Sequence, residues 1–299
     1  MSQPASATTT TTAPKTPEPA KTPSAPVAFF VNIVTAIGRG PLGFIEEAGK
    51  MVLFVGQTLW WMPRRPFRMA QLLRHLRDVG FGSLFIVVLT GFFAGLVFGF
   101  QTLQGFRRFG AEALVGPVTL LMLSRELGPV LTGLMVAGRS GSGIATELGT
   151  MKVTEQIDAM STLAVEPLQY LVVPRVIAAT FMMPLLTSIF TGCGFLGCYL
   201  IGVGREGIDP GVFFFETWQA LDPDDFYEGW IKSAFFGAQI SLIASYQGFN
   251  AVGGARGVGE AATKAVVLSS ISILVGTYIL AEVLDPLIHA YIRFDALPK

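Results

Sequence analysis

The stretch that decides the fold is VGPVTLLMLSRELGPVLTGLMVAG, residues 115–138. It is apolar except for Arg125 and Glu126, and it is long enough to cross a bilayer, which takes about 20 residues. Charged groups at membrane depth are costly, so they are candidates for function by default. Two interpretations are open: the pair locks neighbouring helices together, or it is a polar point in a cavity through which an amphipathic molecule moves.

The composition is that of a membrane protein. Hydrophobic residues make up 51% and charged residues 14% of the 299-residue chain, whereas soluble domains carry about 25% charged residues. The formal net charge is zero, which gives no electrostatic case for nucleic-acid binding. Residues 1–26 are rich in Thr, Pro and Ala without apolar periodicity, and such a tail is predicted to be disordered.

Five apolar segments are predicted to span the membrane as α-helices. They cover about residues 81–103, 115–138, 176–204, 229–250 and 263–284. A shorter apolar stretch, 44–62, precedes them and ends in a pair of tryptophans. Tryptophan at the end of a run too short to span favours the membrane interface. An interfacial or re-entrant helix is therefore predicted there, with a sixth span as the alternative.

Small residues mark the predicted packing faces of the spans. Gly91, Gly95 and Gly99 recur every four residues along the first span. Such a spacing lets a second helix approach closely. The partner helix is either another span of the same chain or a helix of a second copy.

The distribution of Lys and Arg predicts the orientation. Basic residues are concentrated before the first span, after the second and after the fourth, as Arg64, Arg65, Arg68, Arg74, Arg77, Arg139, Lys152, Arg175, Arg256 and Lys264. By the positive-inside rule this side is cytoplasmic, so the N-terminus is cytoplasmic and the C-terminus lies on the opposite side. The acidic stretch 205–231 is typical of an exported loop.

The connection between the second and third spans, GRSGSGIATELGTMKVTEQIDAMSTLAVEPL (138–168), is longer than two neighbouring spans need. Its apolar residues recur at near-helical spacing and its charged residues lie between them. An amphipathic helix over 144–163 is therefore predicted on the cytoplasmic side. It indicates a docking surface for a soluble partner, and the alternative is a helix lying against the inner leaflet.

The sequence carries no catalytic or nucleotide-binding motif. The glycine runs GRSGSG and GGARGVGEAATK lack the G-x-x-x-x-G-K-[ST] pattern, and no predicted strand precedes them. No nucleophile–base set, HExxH motif or paired Cys and His residues occur. The chain is therefore expected to be neither an enzyme nor a holder of cofactor or metal. Energy for work against a gradient has to come from another subunit.

Residues 120–175, which contain RELGPV and ATELGTMKVTEQIDAM, closely resemble the MlaE/YrbE family of ABC-transporter permeases. Other similar stretches are FFAGLVFGFQ (92–101), PLLTSIF (184–190), IKSAFFG (231–237) and GGARGVGEAATKAVVLSS (253–270). The resemblance covers about residues 40–290. It implies that residues 27–299 form one permease domain, an all-α integral membrane fold with a cytoplasmic coupling helix between spans two and three.

The resemblance also implies a function and partners. The chain is expected to be the permease subunit of an ATP-driven transporter in a bacterial inner membrane. This transporter would move lipid, with phospholipid expected, to or from a periplasmic MCE-domain protein that forms an oligomeric ring. Further implied partners are a cytoplasmic ABC ATPase that binds ATP and Mg²⁺, a second permease copy and, in some systems, a STAS-domain protein. The alternative is a structural anchor that recruits the ATPase and the MCE protein while lipid passes elsewhere.

The family pattern assigns residues to these roles. It implies a lipid cavity between two permease copies, lined here by Phe98, Arg125, Glu126, Leu127 and Lys232. It also implies that the helix over 144–163 contacts the ATPase through Glu147, Met151, Glu155, Ile157, Asp158 and Met160. Neighbours on a helix point about 100° apart, so Arg125 and Glu126 are expected to pair across helices or across the dimer.

Overall fold

The computed structural model describes residues 45–64 and 69–291, and the regular elements in these ranges are all helices. Helix α1 covers residues 45–61, and α2 is Met69–Arg107. The later helices are α3 (Glu112–Val153), α4 (Gln156–Thr162), α5 (Leu168–Arg205), α6 (Pro210–Ala220), α7 (Pro223–Phe249) and α8 (Gly254–Tyr291). The all-α prediction is therefore confirmed for these residues, and the predicted tail, 1–26, lies outside them.

Four helices are long and apolar enough to cross a membrane, namely α2, α3, α5 and the Gly254–Leu284 part of α8. The fourth predicted span, 229–250, lies on α7, which has 27 residues but is not among these four helices. Polar side chains lower its hydropathy, and several of them are buried within the fold: Lys232, Ser233, Ser241, Ser245 and Gln247. By length and composition four helices are candidate spans, and α7 buries its polar side chains against its neighbours while Trp230, Ile231 and Phe235 stay exposed.

Helix α3 continues well beyond the predicted second span. It passes residue 138 through a π-helical turn, Ala137–Gly141, and runs on to Val153. The chain breaks at Glu155, which has a left-handed backbone with φ of 60°, and the short α4 follows. The prediction of one separate helix over 144–163 is therefore wrong. Its first half is the end of α3, because GRSGSG forms a π turn instead of a loop.

The α1 helix agrees with the predicted helix over 44–62. The Phe54 ring lies 5.6 Å from the ring of Tyr246 and 5.7 Å from that of Phe249, both on α7. Trp61 and Met62 pack on the buried start of α5. An interfacial or re-entrant position of α1 stays a prediction. All contacts described here belong to the unit that begins at Met51.

The glycine stripe of α2 packs within the chain. A Cβ added at Gly95 would lie 1.8 Å from the carbonyl oxygen of Gly194 on α5, and one at Gly91 would lie 2.7 Å from that of Phe190. At this spacing only glycine allows the two backbones to touch. Of the two partners left open by the sequence, the stripe therefore meets a span of its own chain.

Candidate functional site

The π-helical turn Leu123–Leu127 of α3 lies against the first turns of α7. The start of α7 is fixed by a capping box, in which the Asp222 side chain accepts from the backbone N–H of Asp225 and the Asp225 side chain accepts from that of Asp222. Pro223 occupies the first turn, where the absence of its N–H is harmless. Two rigid helix segments thus hold the charged side chains of the site, and π turns of this kind are frequent at functional sites.

Five charged side chains form one network across α3 and α7. Arg125 Nε donates to Asp225 Oδ1 at 2.6 Å and lies 3.4 Å from Glu228 Oε2. Lys232 Nζ lies 2.6 Å from Glu228 Oε1 and 2.5 Å from Glu126 Oε1. It also donates to the Arg125 carbonyl oxygen at 3.3 Å. Glu228 therefore bridges the two cations, and the network holds three carboxylates against two positive charges.

The network is buried on one side and accessible on the other. The side chains of Lys232, Asp225 and Glu228 are 0%, 4% and 5% exposed, whereas those of Arg125 and Glu126 are 35% and 45% exposed. Burying an ion costs several kcal/mol unless partners compensate it. The three oxygen partners of Lys232 supply this compensation. The accessible edge of the network is therefore the Arg125–Glu126 pair.

A third helix closes the site. Thr277 on α8 donates its hydroxyl hydrogen to Glu126 Oε2 at 3.0 Å. Each carboxylate oxygen of Glu126 thus has a partner on a different helix, Lys232 on α7 and Thr277 on α8. This arrangement fixes the orientation of a carboxylate that is still nearly half exposed.

Three of the five predicted cavity residues meet in this network: Arg125, Glu126 and Lys232. Both of the first two form ion pairs across helices within one chain, Arg125 with Asp225 and Glu126 with Lys232, and pairing of Arg125 with Glu126 stays a prediction. Leu127 is partly buried and packs against the apolar core of the bundle. Phe98 is half-buried on α2 and takes no part in the ion pairs.

Three residues of the site were missed by the sequence analysis: Asp225, Glu228 and Thr277. The acidic stretch 205–231 was expected to be a loop, but the structure places α6 and the first turns of α7 there. The spacing of Asp225, Glu228 and Lys232 by three and then four residues is a signal that could have found two of them, because it places these residues on one helical face.

The predicted ATPase-contacting residues divide into buried and exposed sets. Ile157 is 4% exposed, and Met151 and Met160 pack against the same apolar cluster. Glu147 pairs with the buried Arg175 at 2.8 Å. Glu155 is exposed at the break after α3, and exposed Asp158 pairs with Lys152 at 2.9 Å. Glu155 and Asp158 thus present charge at and just after the break, and Glu147, although paired with Arg175, is also exposed.

Comparison with known proteins gives the family. The model of the family described as Permease MlaE matches residues 72–283. This chain belongs to the MlaE permease family. It is similar to a probable ABC transporter permease protein of Rickettsia felis, with 43% identity over 254 residues that cover 85% of this chain and 98% of the relative.

Two other relatives of this MlaE-family permease have names that mention transport or a lipid. The intermembrane phospholipid transport system permease protein MlaE of Haemophilus influenzae is 33% identical over 257 residues, covering 86% of this chain and 98% of the relative. The chloroplastic protein TRIGALACTOSYLDIACYLGLYCEROL 1 of Arabidopsis thaliana is 36% identical over 242 residues, covering 81% and 69%. The resemblance carried by RELGPV and the ATELGTMKVTEQIDAM block is thus confirmed.

Membership in the MlaE family makes this chain a membrane-spanning ABC-transporter permease of a lipid-transport family. Its relatives are named as permease proteins. A permease of the ABC type works together with an ATPase subunit, so the family implies an ATPase partner.

Proposed function

We propose that this MlaE-family permease moves phospholipid between the bacterial inner membrane and a periplasmic conduit of MCE-domain protein, driven by a cytoplasmic ATPase. It works as a dimer with five spans, of which α7 is the fourth in chain order. The N-terminus is cytoplasmic and the C-terminus periplasmic. ATP and Mg²⁺ bind the ATPase, this chain holds no cofactor, and a STAS-domain protein is a further candidate partner. The observation that carries the proposal is the half-exposed Arg125–Glu126 edge of an otherwise buried ion network.

The charges of the network suit a phospholipid headgroup. Arg125, about a third exposed, is the cation that a phosphate reaches, and guanidinium–phosphate hydrogen bonds are strong and directional. Glu126, nearly half exposed, is the carboxylate that attracts a headgroup ammonium or hydroxyl. The partly buried Leu127 beside them contributes apolar surface. A few polar groups in an apolar wall are what an amphipathic ligand needs.

Substitution of the network edge distinguishes a lipid path from a structural anchor. Glu126→Ala is expected to slow lipid transfer on the order of tenfold, through the loss of about one charge-assisted contact. Leu127→Asp is expected to slow it by placing a carboxylate in the apolar wall. Lys232 keeps Glu228 as its partner in Glu126→Ala, so the buried part of the network remains paired. Transfer is measured between liposomes that carry the reconstituted complex and acceptor MCE protein.

The control for this experiment is Glu260→Ala, which removes an exposed carboxylate of α8 that pairs with Arg256 one turn away. It is expected to leave transfer unchanged. If both edge variants transferred lipid at the wild-type rate in a fully assembled complex, the lipid path would lie elsewhere and the anchor function would be the correct one.

We also propose that the break between α3 and α4 contacts the ATPase through Glu155 and Asp158. Both side chains are exposed and acidic, whereas Met151, Ile157 and Met160 near them pack against the chain's own core. The double variant Glu155→Arg, Asp158→Arg is expected to lose the ATPase in a pull-down, because it replaces two negative charges by positive ones at the contact.

Lys152→Ala is the matched control. It breaks the same Lys152–Asp158 ion pair without reversing a charge, and an exposed pair of this kind contributes only about 0–1 kcal/mol. The ATPase is therefore expected to stay bound to this variant. Retention of the ATPase at the wild-type level by the double-arginine variant would refute the contact.

A further inference from the structure

A polar cavity lies at the end of the long helices opposite to the ion network of α3 and α7. Its volume is about 640 Å³, and its wall includes His75, Arg77, Asp78 and Phe81 of α2 with Arg139 and Glu147 of α3. Along α3, Arg139 follows Arg125 by about 20 Å, given the rise of an α-helix. The cavity is therefore separate from the ion network of Arg125 and Lys232. It lies at the end of the fold where the sequence concentrates basic residues.

The cavity wall has an excess of positive charge. Among the salt bridges of the described residues, none involves Arg77 or Arg139. The charge of Glu147 is balanced by Arg175, whose Nη2 lies 2.8 Å from it. Asp78 is thus the one wall carboxylate left against two arginines, so the cavity favours an anion.

Arg139 is held in position by the backbone of α2. A Cβ added at Gly82 would lie 2.0 Å from Arg139 Nη1, so the guanidinium lies directly over this glycine. The same nitrogen is 3.4 Å from the carbonyl oxygen of Asp78. Next to it, the buried hydroxyls of Ser83 and Ser140 lie 3.1 Å apart and join the two helices. The cation is therefore positioned before any anion arrives.

An exposed apolar stripe leads away from the cavity along α2. It begins at Phe81, which is part of the wall and 75% exposed, and continues at four-residue steps through Phe85, Leu89, Phe93 and Val97, which are 77%, 45%, 55% and 51% exposed. Residues four apart are neighbours on the helix surface, so the five side chains form a continuous row that winds gradually around α2. An acyl chain can pack against such a stripe, whereas apolar surface contributes nothing to the binding of a free anion.

We propose that this cavity is a second lipid site, in which Arg77 and Arg139 bind the phosphate of a phospholipid whose acyl chain lies along the stripe from Phe81 to Val97. Guanidinium groups match phosphate oxygens in geometry and charge. The site goes beyond lipid contact at the Glu126 edge and does not depend on it. It would receive or release lipid in the leaflet on the basic side of the membrane.

The test uses a readout local to the cavity. In the full-length chain, Phe81→p-benzoylphenylalanine is irradiated with phosphatidylglycerol, and the cross-linked lipid is quantified by mass spectrometry. Arg77→Gln and Arg139→Gln are each expected to raise the half-saturating lipid concentration roughly tenfold. Arg107→Gln, at the other end of α2, is the control and is expected to change nothing. Equal half-saturation in wild type and in the double Arg77→Gln, Arg139→Gln variant would overturn the proposal.

A second variant tests position without changing charge. Gly82→Ala is expected to push the guanidinium of Arg139 aside and to raise half-saturation severalfold, while the flexible arginine lets the fold accommodate the methyl group. Diacylglycerol with the same acyl chains is expected to cross-link weakly and to be insensitive to all these variants. If it bound as tightly as phosphatidylglycerol, the site would be purely apolar and the phosphate assignment would fail.

Competition separates the lipid from a free phosphate. Inorganic phosphate and glycerol 3-phosphate carry the same anion without acyl chains, and neither is expected to displace phosphatidylglycerol at concentrations comparable to that of the lipid. Displacement at equal concentration would identify a site for free phosphate and overturn the assignment to lipid.

Discussion

Lys232→Met is expected to lower the free energy of unfolding by about 3–5 kcal/mol, the cost of breaking a buried ion pair by removing one partner. Lys232 is fully buried between Glu126, Glu228 and the Arg125 carbonyl. In the variant, Glu228, whose side chain is 5% exposed in the wild type, would keep one cationic partner among the described residues, Arg125 at 3.4 Å. The loss is measured as the shift in thermal and denaturant unfolding of the full-length chain in detergent.

A compensating variant separates the lost charge from the lost packing. In Lys232→Met, Glu228→Gln the carboxylate that depended on the lysine is neutral, so about half or more of the lost stability is expected to return. Lys152→Met removes a partly exposed lysine from an exposed ion pair and is expected to cost at most about 1 kcal/mol. An unchanged free energy of unfolding in Lys232→Met would contradict the idea that the network holds α3 to α7. A double variant less stable than the single one would contradict it as well.

The sequence identifies some residues of this ion network as candidates and does not identify the others. Arg125 and Glu126 stand out because they are the charged residues of an otherwise mostly apolar segment, 115–138. Asp225 and Glu228 lie in a stretch whose other acidic residues are typical of a loop. The composition therefore predicts a loop where the first turns of α7 lie. Spacing recovers them, since Asp225, Glu228 and Lys232 share one helical face. Thr277 has no such signal, because its role depends on how α8 packs.

Glycine explains the error at the end of α3. GRSGSG is typical of a loop, but glycine permits a turn without requiring one. Gly138, Gly141 and Gly143 all keep helical backbone, and a π turn absorbs the irregularity. The actual break falls at Glu155, a residue that rarely adopts a positive φ. Such a position is set by tertiary packing, which the sequence does not display.

The number of spans is also difficult to predict from the sequence, because burial depends on tertiary packing. Helix α7 contacts α3, α5 and α8, so its serines and Gln247 are buried against protein. Hydropathy measures how well a residue suits lipid, and a helix face that packs against protein does not have to suit lipid. The apolar pattern therefore predicts α2 and α8 well, since these helices expose their apolar faces, and it is ambiguous for the helix at the centre.

Gly95→Ala is expected to destabilise the fold by about 3 kcal/mol, at the upper end of what one extra methyl group costs in a packed core. The added Cβ would lie 1.8 Å from the Gly194 carbonyl oxygen and 2.5 Å from its Cα. These atoms are backbone, so they move only if α2 and α5 separate along their whole contact. Unfolding of the full-length chain in detergent measures the loss.

Gly105→Ala is the matched control on the same helix. Nothing lies within 4 Å of a Cβ at Gly105, so the added methyl group causes no clash. The higher helix propensity of alanine is then expected to raise the free energy of unfolding by about 0.5–1 kcal/mol. The same chemical change is therefore expected to have opposite signs at two positions of α2. If Gly95→Ala were stabilising as well, α2 and α5 would not be in backbone contact. Because a change in helix propensity alone would shift both variants in the same direction, opposite signs would show that the glycine stripe stabilises the fold through contact with α5.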